Sequence, residues 1–295
     1  MINMAILVNS ETNLLVQGIT GREGTMHTNA MYSYGSNVLA GVTPGKGGIK
    51  VSGIPVYNTV CDAVSSHPDL NASVIFVPAA FASDAVYEAV DNGIKTIVII
   101  TERIPVHESL HFLEYARVRG VTIVGPNTAG LITPGECKVG IMPGDLFAPG
   151  SVGLISRSGT LTYEIAAGIT RSGLGQTTSI GVGGDPVVGL SLTEVVDMFG
   201  NDEKTEAIVV IGEIGGNEEE KLAAHVRDSF KKPIVAFIAG QTAPVGKRMG
   251  HAGAIITMGM GTASSKKESL KNAGISVAEL PMQIPDLLKR AMNLV

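Results

Sequence analysis

Two successive series of short, continuous apolar runs, separated by stretches of helical periodicity, constrain this chain more than any other feature. The first series is Leu14 to Gln17, Val38 to Val42, Ser73 to Val77, Thr96 to Thr101 and Val121 to Val124. The second is Val152 to Ser156, Thr177 to Val182, Ala207 to Ile211, Pro233 to Ile238 and Ile275 to Ala278. Runs such as Ser-Val-Ile-Phe-Val and Thr-Ile-Val-Ile-Ile are apolar on both faces, which suits strands of a parallel sheet covered by helices on each side. The pattern predicts an α/β chain with two doubly wound units. At 295 residues it also exceeds the usual size of one hydrophobic core, so two domains are expected.

Between the two series, residues 131–150 contain Thr-Pro-Gly-Glu, Met-Pro-Gly-Asp and Ala-Pro-Gly-Ser, three turn signals close together. This stretch is expected to be a linker between a first domain, residues 1–130, and a second, residues 151–295.

Composition narrows the function classes. With 44% hydrophobic and 17% charged residues the chain is unlike a disordered one. Its net charge of −5 gives no global attraction to nucleic acid or to an anionic membrane, so neither is an expected partner and any anion site must be local. Cys61 and Cys137 show no metal-type spacing and no disulfide framework, which fits a reducing compartment and no metal site. Residues Met1 to Glu11 lack a basic region followed by an apolar core, and no run of about 18 apolar residues follows. A cytoplasmic location is expected.

In open α/β sheets ligands gather at the carboxyl ends of the strands, and the glycine-rich segments fall there. After the first run comes Gly18-Ile19-Thr20-Gly21-Arg22-Glu23-Gly24-Thr25, leading into a helix expected from about Met26. Exposed amides at such a helix start favour phosphate, although a tight turn with no ligand has the same spacing. An NAD site would call for an acidic residue about 20 positions further on. The chain instead reads Gly41-Val42-Thr43-Pro44-Gly45-Lys46-Gly47-Gly48, and a lysine there suits an additional phosphate, as on CoA, better than a bare diol. This disfavours a nicotinamide-dependent dehydrogenase. Ile100-Thr101-Glu102-Arg103-Ile104-Pro105 and Gly125-Pro126-Asn127-Thr128-Ala129-Gly130 end later strands over the same crevice, as guides for a pantetheine arm or as simple turns.

In the second half, Ser156 to Glu164 (SRSGTLTYE) reads as a loop entering a helix. Ser158, Gly159 and Thr160 fit either a phosphate cradle or an ordinary N-cap. Of six histidines, His251 stands apart, within Gly246 to Ala254 (GKRMGHAGA), where small neighbours leave the imidazole accessible. A neutral imidazole is a competent nucleophile near pH 7. Glu213, at the end of the central strand of this half, is placed to hold one ring nitrogen and leave the other free, or else to cap neighbouring amides.

Taken together, GVTPGKGG (41–48), SRSGTLTYE (156–164), GGDP (183–186), GEIGG (212–216) and GKRMGHAGA (246–254) resemble, in order, the alpha-subunit family of succinyl-CoA synthetases, the succinate-CoA ligases. The resemblance implies an N-terminal Rossmann-like CoA-binding domain followed by a flavodoxin-like ligase domain. It implies that His251 is phosphorylated, with Glu213 beside it. It assigns CoA to Thr20, Gly21, Arg22, Glu23, Lys46, Ile100, Thr101 and Glu102, and substrate to Tyr163. The family reaction, a step of the tricarboxylic acid cycle, passes from nucleoside triphosphate through phosphohistidine and an acyl phosphate to acyl-CoA. The chain lacks G-x-x-x-x-G-K-[ST], so the resemblance places ATP or GTP and Mg²⁺ on an ATP-grasp beta subunit. Two departures stand out: Arg103 where the family commonly has glycine, and Thr128-Ala129 where it has Cys-Pro. Malate-CoA ligase, a related family, and a CoA-binding regulatory protein without catalysis are the competing expectations.

Overall fold

A computed structural model describes residues 6–227, 230–242, 249–256 and 261–294. The first sheet contains β1 (Asn13–Gln17), β2 (Asn37–Val42), β3 (Lys50–Val51), β4 (Ile54–Tyr57), β5 (Ala72–Ile75), β6 (Thr96–Ile99) and β7 (Thr122–Val124). Their order is β3-β4-β2-β1-β5-β6-β7, parallel apart from the β3–β4 pair. Helices α1 (Arg22–Tyr34), α2 (Val60–Ser66), α3 (Ala82–Asp91) and α4 (Val106–Val118) connect these strands. Leu14, Leu15 and Val16 are all fully buried, as expected for a strand covered on both faces.

The second sheet contains β8 (Gly130–Thr133), β9 (Cys137–Gly140), β10 (Pro149–Ser156), β11 (Gln176–Gly181), β12 (Ala207–Glu213), β13 (Ile234–Ala239) and β14 (Ser276–Ala278). They are ordered β14-β13-β12-β10-β11-β8-β9. From β14 to β11 the strands are parallel; β8 runs antiparallel to β11 and to β9. Helices α5 (Gly159–Arg171), α6 (Leu192–Asn201), α7 (Glu218–Val226), α8 (Ala263–Asn272) and α9 (Ile284–Ala291) pack around it. Their starts are set chemically: Ser158 and Thr262 accept backbone N–H groups of α5 and α8, and Ser191 with Glu194 forms a capping box on α6.

The stretch 131–150 is therefore not a linker. Its first Pro-Gly signal is the turn of the β8–β9 hairpin, with Gly135 at φ 79°, and Leu131, Ile132 and Val139 are fully buried. The strands are four residues long, too short for alternation to be read past the turn signals flanking them. The hairpin also rests on the first half. Ser36 Oγ donates to the Lys138 carbonyl at 2.7 Å and accepts its N–H at 2.8 Å, while the Gly135 N–H donates to Tyr34 Oη at 2.9 Å. One continuous core runs through both halves, joining Val16, Met31 and Val124 to Leu131, Val139 and Ile180.

Helix α1 starts at Arg22, a turn earlier than Met26, because Gly21 keeps extended backbone just before it. A Cβ on Gly24 would fall 2.2 Å from the Gly18 carbonyl oxygen, so that glycine lets the helix sit directly on the β1 turn. Among the described residues, no helix is long and apolar enough to cross a membrane.

Candidate active site

At the carboxyl ends of β1, β2 and β5 lies a mainly apolar cleft of about 510 Å³, lined by Gly18, Thr20, Gly21, Thr43, Pro44 and Phe81 among others. Thr20 Oγ1 and Thr43 Oγ1 hydrogen-bond at 3.1 Å, tying the two glycine loops at its mouth. Arg22 and Glu23 open α1 at its positive end and are exposed, and Glu23 reaches His27 at 3.6 Å. Lys46 is exposed on the same loop as Thr43 and Pro44, beyond the cleft lining. Ile100, Thr101 and Glu102 follow β6; Thr101 Oγ1 donates to the Val77 carbonyl at 2.7 Å, and Glu102 faces a second cleft.

That second cleft, about 480 Å³, opens between the two sheets and is lined by Glu102, Arg103, Asn127, Asp185, Gly250 and Ala252 among others. Asn127 holds the halves together there. Its N–H donates to the Thr101 carbonyl at 2.9 Å, its carbonyl accepts from Gly184 N–H at 3.0 Å, and its side-chain amide donates to Asp185 Oδ1 at 2.9 Å. Burial raises the Asp185 carboxyl above its ordinary value, against the opposing pull of the Asn127 hydrogen bond. Arg103 takes a left-handed conformation at φ 64°, and its exposed guanidinium pairs with Glu102 at 3.2 Å.

His251 stands on the other wall. Its Nδ1 hydrogen-bonds Glu213 Oε2 at 3.0 Å, the carboxylate being 7% exposed and the ring 29%. The carboxylate raises the histidine above its usual value, burial and the Arg157 cation oppose this, and Asp185 adds to the rise. Glu213 Oε1 faces Arg157 Nη2 at 3.4 Å, an ionic contact without hydrogen-bond geometry. The loop closes by short backbone hydrogen bonds: His251 N–H to the Met249 carbonyl at 3.0 Å, and Ala254 N–H to the His251 carbonyl at 3.2 Å. With Nδ1 donating to a carboxylate, Nε2 carries the lone pair, an arrangement able to act as a nucleophile with a built-in counter-charge. Gly246 to Arg248 of the histidine motif lie outside the described residues.

Ser158 caps α5, and Gly159 and Thr160 form its first turn, two residues beyond Arg157. Tyr163 lies half-buried along α5 against the apolar cluster of Leu154, Ile165 and Val209, where burial pushes its phenol up. The unusual pair at 128–129 is structural in its contacts. Thr128 Oγ1 donates to the Gly181 carbonyl and accepts from Gly130 N–H at 2.9 Å, and Ala129 lies beside Gly159.

Sequence reasoning missed Asn127, Arg157 and Asp185 as site residues. Asp185 lies in the GGDP motif and Arg157 is the second residue of SRSGTLTYE, so both fall within segments already singled out. What was missing was the fold, which turns those segments toward His251.

The chain is similar to known proteins over nearly its whole length. Residues 9–103 match the family model described as CoA binding domain, and residues 155–276 match that described as CoA-ligase. The chain is 53% identical to the succinate-CoA ligase (ADP-forming) subunit alpha of Aquifex aeolicus, over 99% of this chain and 96% of that one. It is 52% identical to the subunit alpha of Methanothermobacter thermautotrophicus, over 99% of this chain and 98% of that one. In fold it is similar to an ATP citrate lyase from Methanosaeta concilii solved with (3S)-citryl-CoA: TM-score 0.90, 23% identity, 98% of this chain covered. The match spans about half of that longer chain, 51%. By these full-length identities, the chain belongs to the succinate-CoA ligase alpha-subunit family, carrying a CoA-binding domain followed by a CoA-ligase domain.

Proposed function

We propose that this chain is the phosphohistidine-bearing subunit of a ligase that joins succinate to CoA at the expense of a nucleoside triphosphate. The observation that carries the reading is the 3.0 Å contact between His251 Nδ1 and the buried Glu213, which leaves Nε2 free beside the cleft between the sheets. His251 Nε2 attacks the terminal phosphorus of the triphosphate; the N–P bond forms as the bond to the diphosphate oxygen breaks. The succinate carboxylate then attacks phosphorus, the N–P bond breaks, and an acyl phosphate forms. The CoA thiolate attacks the acyl carbon and expels inorganic phosphate. Each step is reversible.

Glu213 keeps the ring's Nδ1 proton in place and balances the positive charge that grows on the imidazole as N–P forms. The positive end of α5, with Ser158, Gly159 and Thr160, suits the phosphoryl oxygens, and Tyr163 on the same helix suits the acid. The 510 Å³ cleft, with Thr20, Gly21, Arg22, Glu23 and Lys46 around it, suits the adenosine end of CoA, and Ile100, Thr101 and Glu102 lead the pantetheine arm toward His251. ATP or GTP with Mg²⁺ belongs on an ATP-grasp beta subunit, and the assembly works in the cytoplasm.

Incubating the chain and its partner with γ-labelled nucleotide should give acid-labile, alkali-stable label on this chain, absent in His251→Ala. Unchanged labelling of that variant would sink the assignment. A panel of dicarboxylic acids with CoA and either nucleotide identifies the acid; faster turnover with malate than with succinate would point to the related malate ligases.

A further inference from the structure

Behind the His251–Glu213 pair lies a line of buried charges. Glu219, in the first turn of α7, and Lys266, in the first turn of α8, are both 0% exposed, and they touch through Glu219 Oε2. Glu219 Oε1 accepts twice: from Arg157 Nη1 at 3.2 Å and from the backbone N–H of Glu213 at 3.1 Å. Arg157, 8% exposed, divides its guanidinium between Glu219 and Glu213, and also donates to the Gly215 carbonyl at 3.4 Å. Lys266 has a second partner in Glu220 at 3.2 Å.

A charge this deeply buried is costly unless paired, and pairs of this kind are weak devices for stability alone. Here the pairing has a direction. Lys266 holds one oxygen of Glu219, and the other oxygen touches both the backbone of Glu213 and the cation that faces the far oxygen of Glu213. We propose that Glu219 and Lys266 are positioning residues for His251: by dividing Arg157 between two carboxylates, they set how much of Glu213 remains for the imidazole.

Two substitutions move that division in opposite senses. Glu219→Gln keeps an oxygen for the Glu213 N–H but frees Arg157 to turn fully onto Glu213, whose Oε1 has no hydrogen-bond partner among the described residues. His251 then competes for a neutralised carboxylate and is easier to deprotonate. Lys266→Met leaves Glu219 with Arg157 as its main cation; the guanidinium is drawn away from Glu213, and His251 holds its proton more strongly. Neither variant strands a charge, because Lys266 retains Glu220 and Glu219 retains Arg157. Among the described residues, the other charged group facing the ring is Asp185, with Glu102 behind it, and neither touches Glu219.

The inference rests on the phosphohistidine reading only for its consequence, so the test has two arms on the full chain with its partner. In the first, the rate at which diethyl pyrocarbonate modifies His251, followed by mass spectrometry of its peptide, is measured against pH. The midpoint should move down in Glu219→Gln and up in Lys266→Met. In the second, single-turnover phosphorylation near neutral pH should fall roughly tenfold in each, with KM for CoA unchanged. Midpoints that stay at the parent value, or move in the reverse order, overturn the proposal. Should Lys266→Met fail to fold, Glu219→Gln combined with Lys266→Met decides: its midpoint must move down, as in Glu219→Gln alone. Midpoints that move as expected while no label reaches His251 leave the positioning intact and sink the phosphohistidine reading instead.

Discussion

The imidazole of His251 lies so close against Gly184 that a methyl group on that glycine would fall 2.5 Å from the ring's Cγ and 2.6 Å from Nδ1. The ring is thus seated from below by an absence of side chain and from one side by Glu213. Gly184→Ala should push the ring off Glu213 while leaving the sheets intact. Phosphorylation should drop on the order of 100-fold, as expected when a reacting group is displaced by about an ångström. Circular dichroism and the melting midpoint should change little; full labelling of this variant would show that the seat is not needed.

Replacing the carboxylate tests the charge alone. Glu213→Gln retains an oxygen for Nδ1–H but removes the main cause of the raised His251 value. The acid limb of the phosphorylation rate should shift to lower pH, and the plateau should fall roughly 10- to 100-fold as the growing positive charge loses its counter-charge. A lowered plateau with an unmoved acid limb would contradict this.

The same contact has a signature in stability. The folded His251 binds its proton more tightly than in the unfolded chain, so the pair stabilises the fold fully below the ordinary histidine value of 6.5. That contribution fades as pH climbs from there through the raised value. The difference in urea midpoint between the parent and Glu213→Gln should therefore be larger at pH 6 than at pH 9; the effect is modest, because the ring is 29% exposed. A difference that grows with pH would reverse the sign.

At the junction of the two sheets, Thr128 offers a simpler test. Its buried hydroxyl both donates to Gly181 and accepts from Gly130. Thr128→Val keeps the shape and strands both groups, at a cost of about 1–3 kcal/mol in thermal or urea unfolding. No loss would mean that water replaces the hydroxyl.

Much of this was legible in the sequence. The runs through Leu14, Val74, Val98, Leu154 and Val209 read as strands because both faces are buried, and their order along the chain sets the loops that meet at the site. The short hairpins β3–β4 and β8–β9 were not legible, since two to four residues carry too little periodicity. Glu219 was hidden for another reason. It stands in Glu218-Glu219-Glu220, which reads as the solvated start of a helix. The signal that separates it is spacing: Glu219, Leu222, Ala223 and Val226 form one buried stripe on α7, and Ala263, Lys266 and Leu270 form another on α8. A charge falling on an apolar stripe is the mark of a buried pair. Its partner, 47 positions away, becomes visible only when the helices are brought together.

The β8–β9 hairpin bears on how the molecule can be taken apart. It completes the sheet whose strand β12 ends in Glu213, while lying on α1, the helix that follows the glycine turn after β1. A cut at either end of it would bare apolar surface on whichever fragment lost it. The CoA-binding and CoA-ligase domains are in this sense one mechanical piece, and neither is expected to survive as a detachable module.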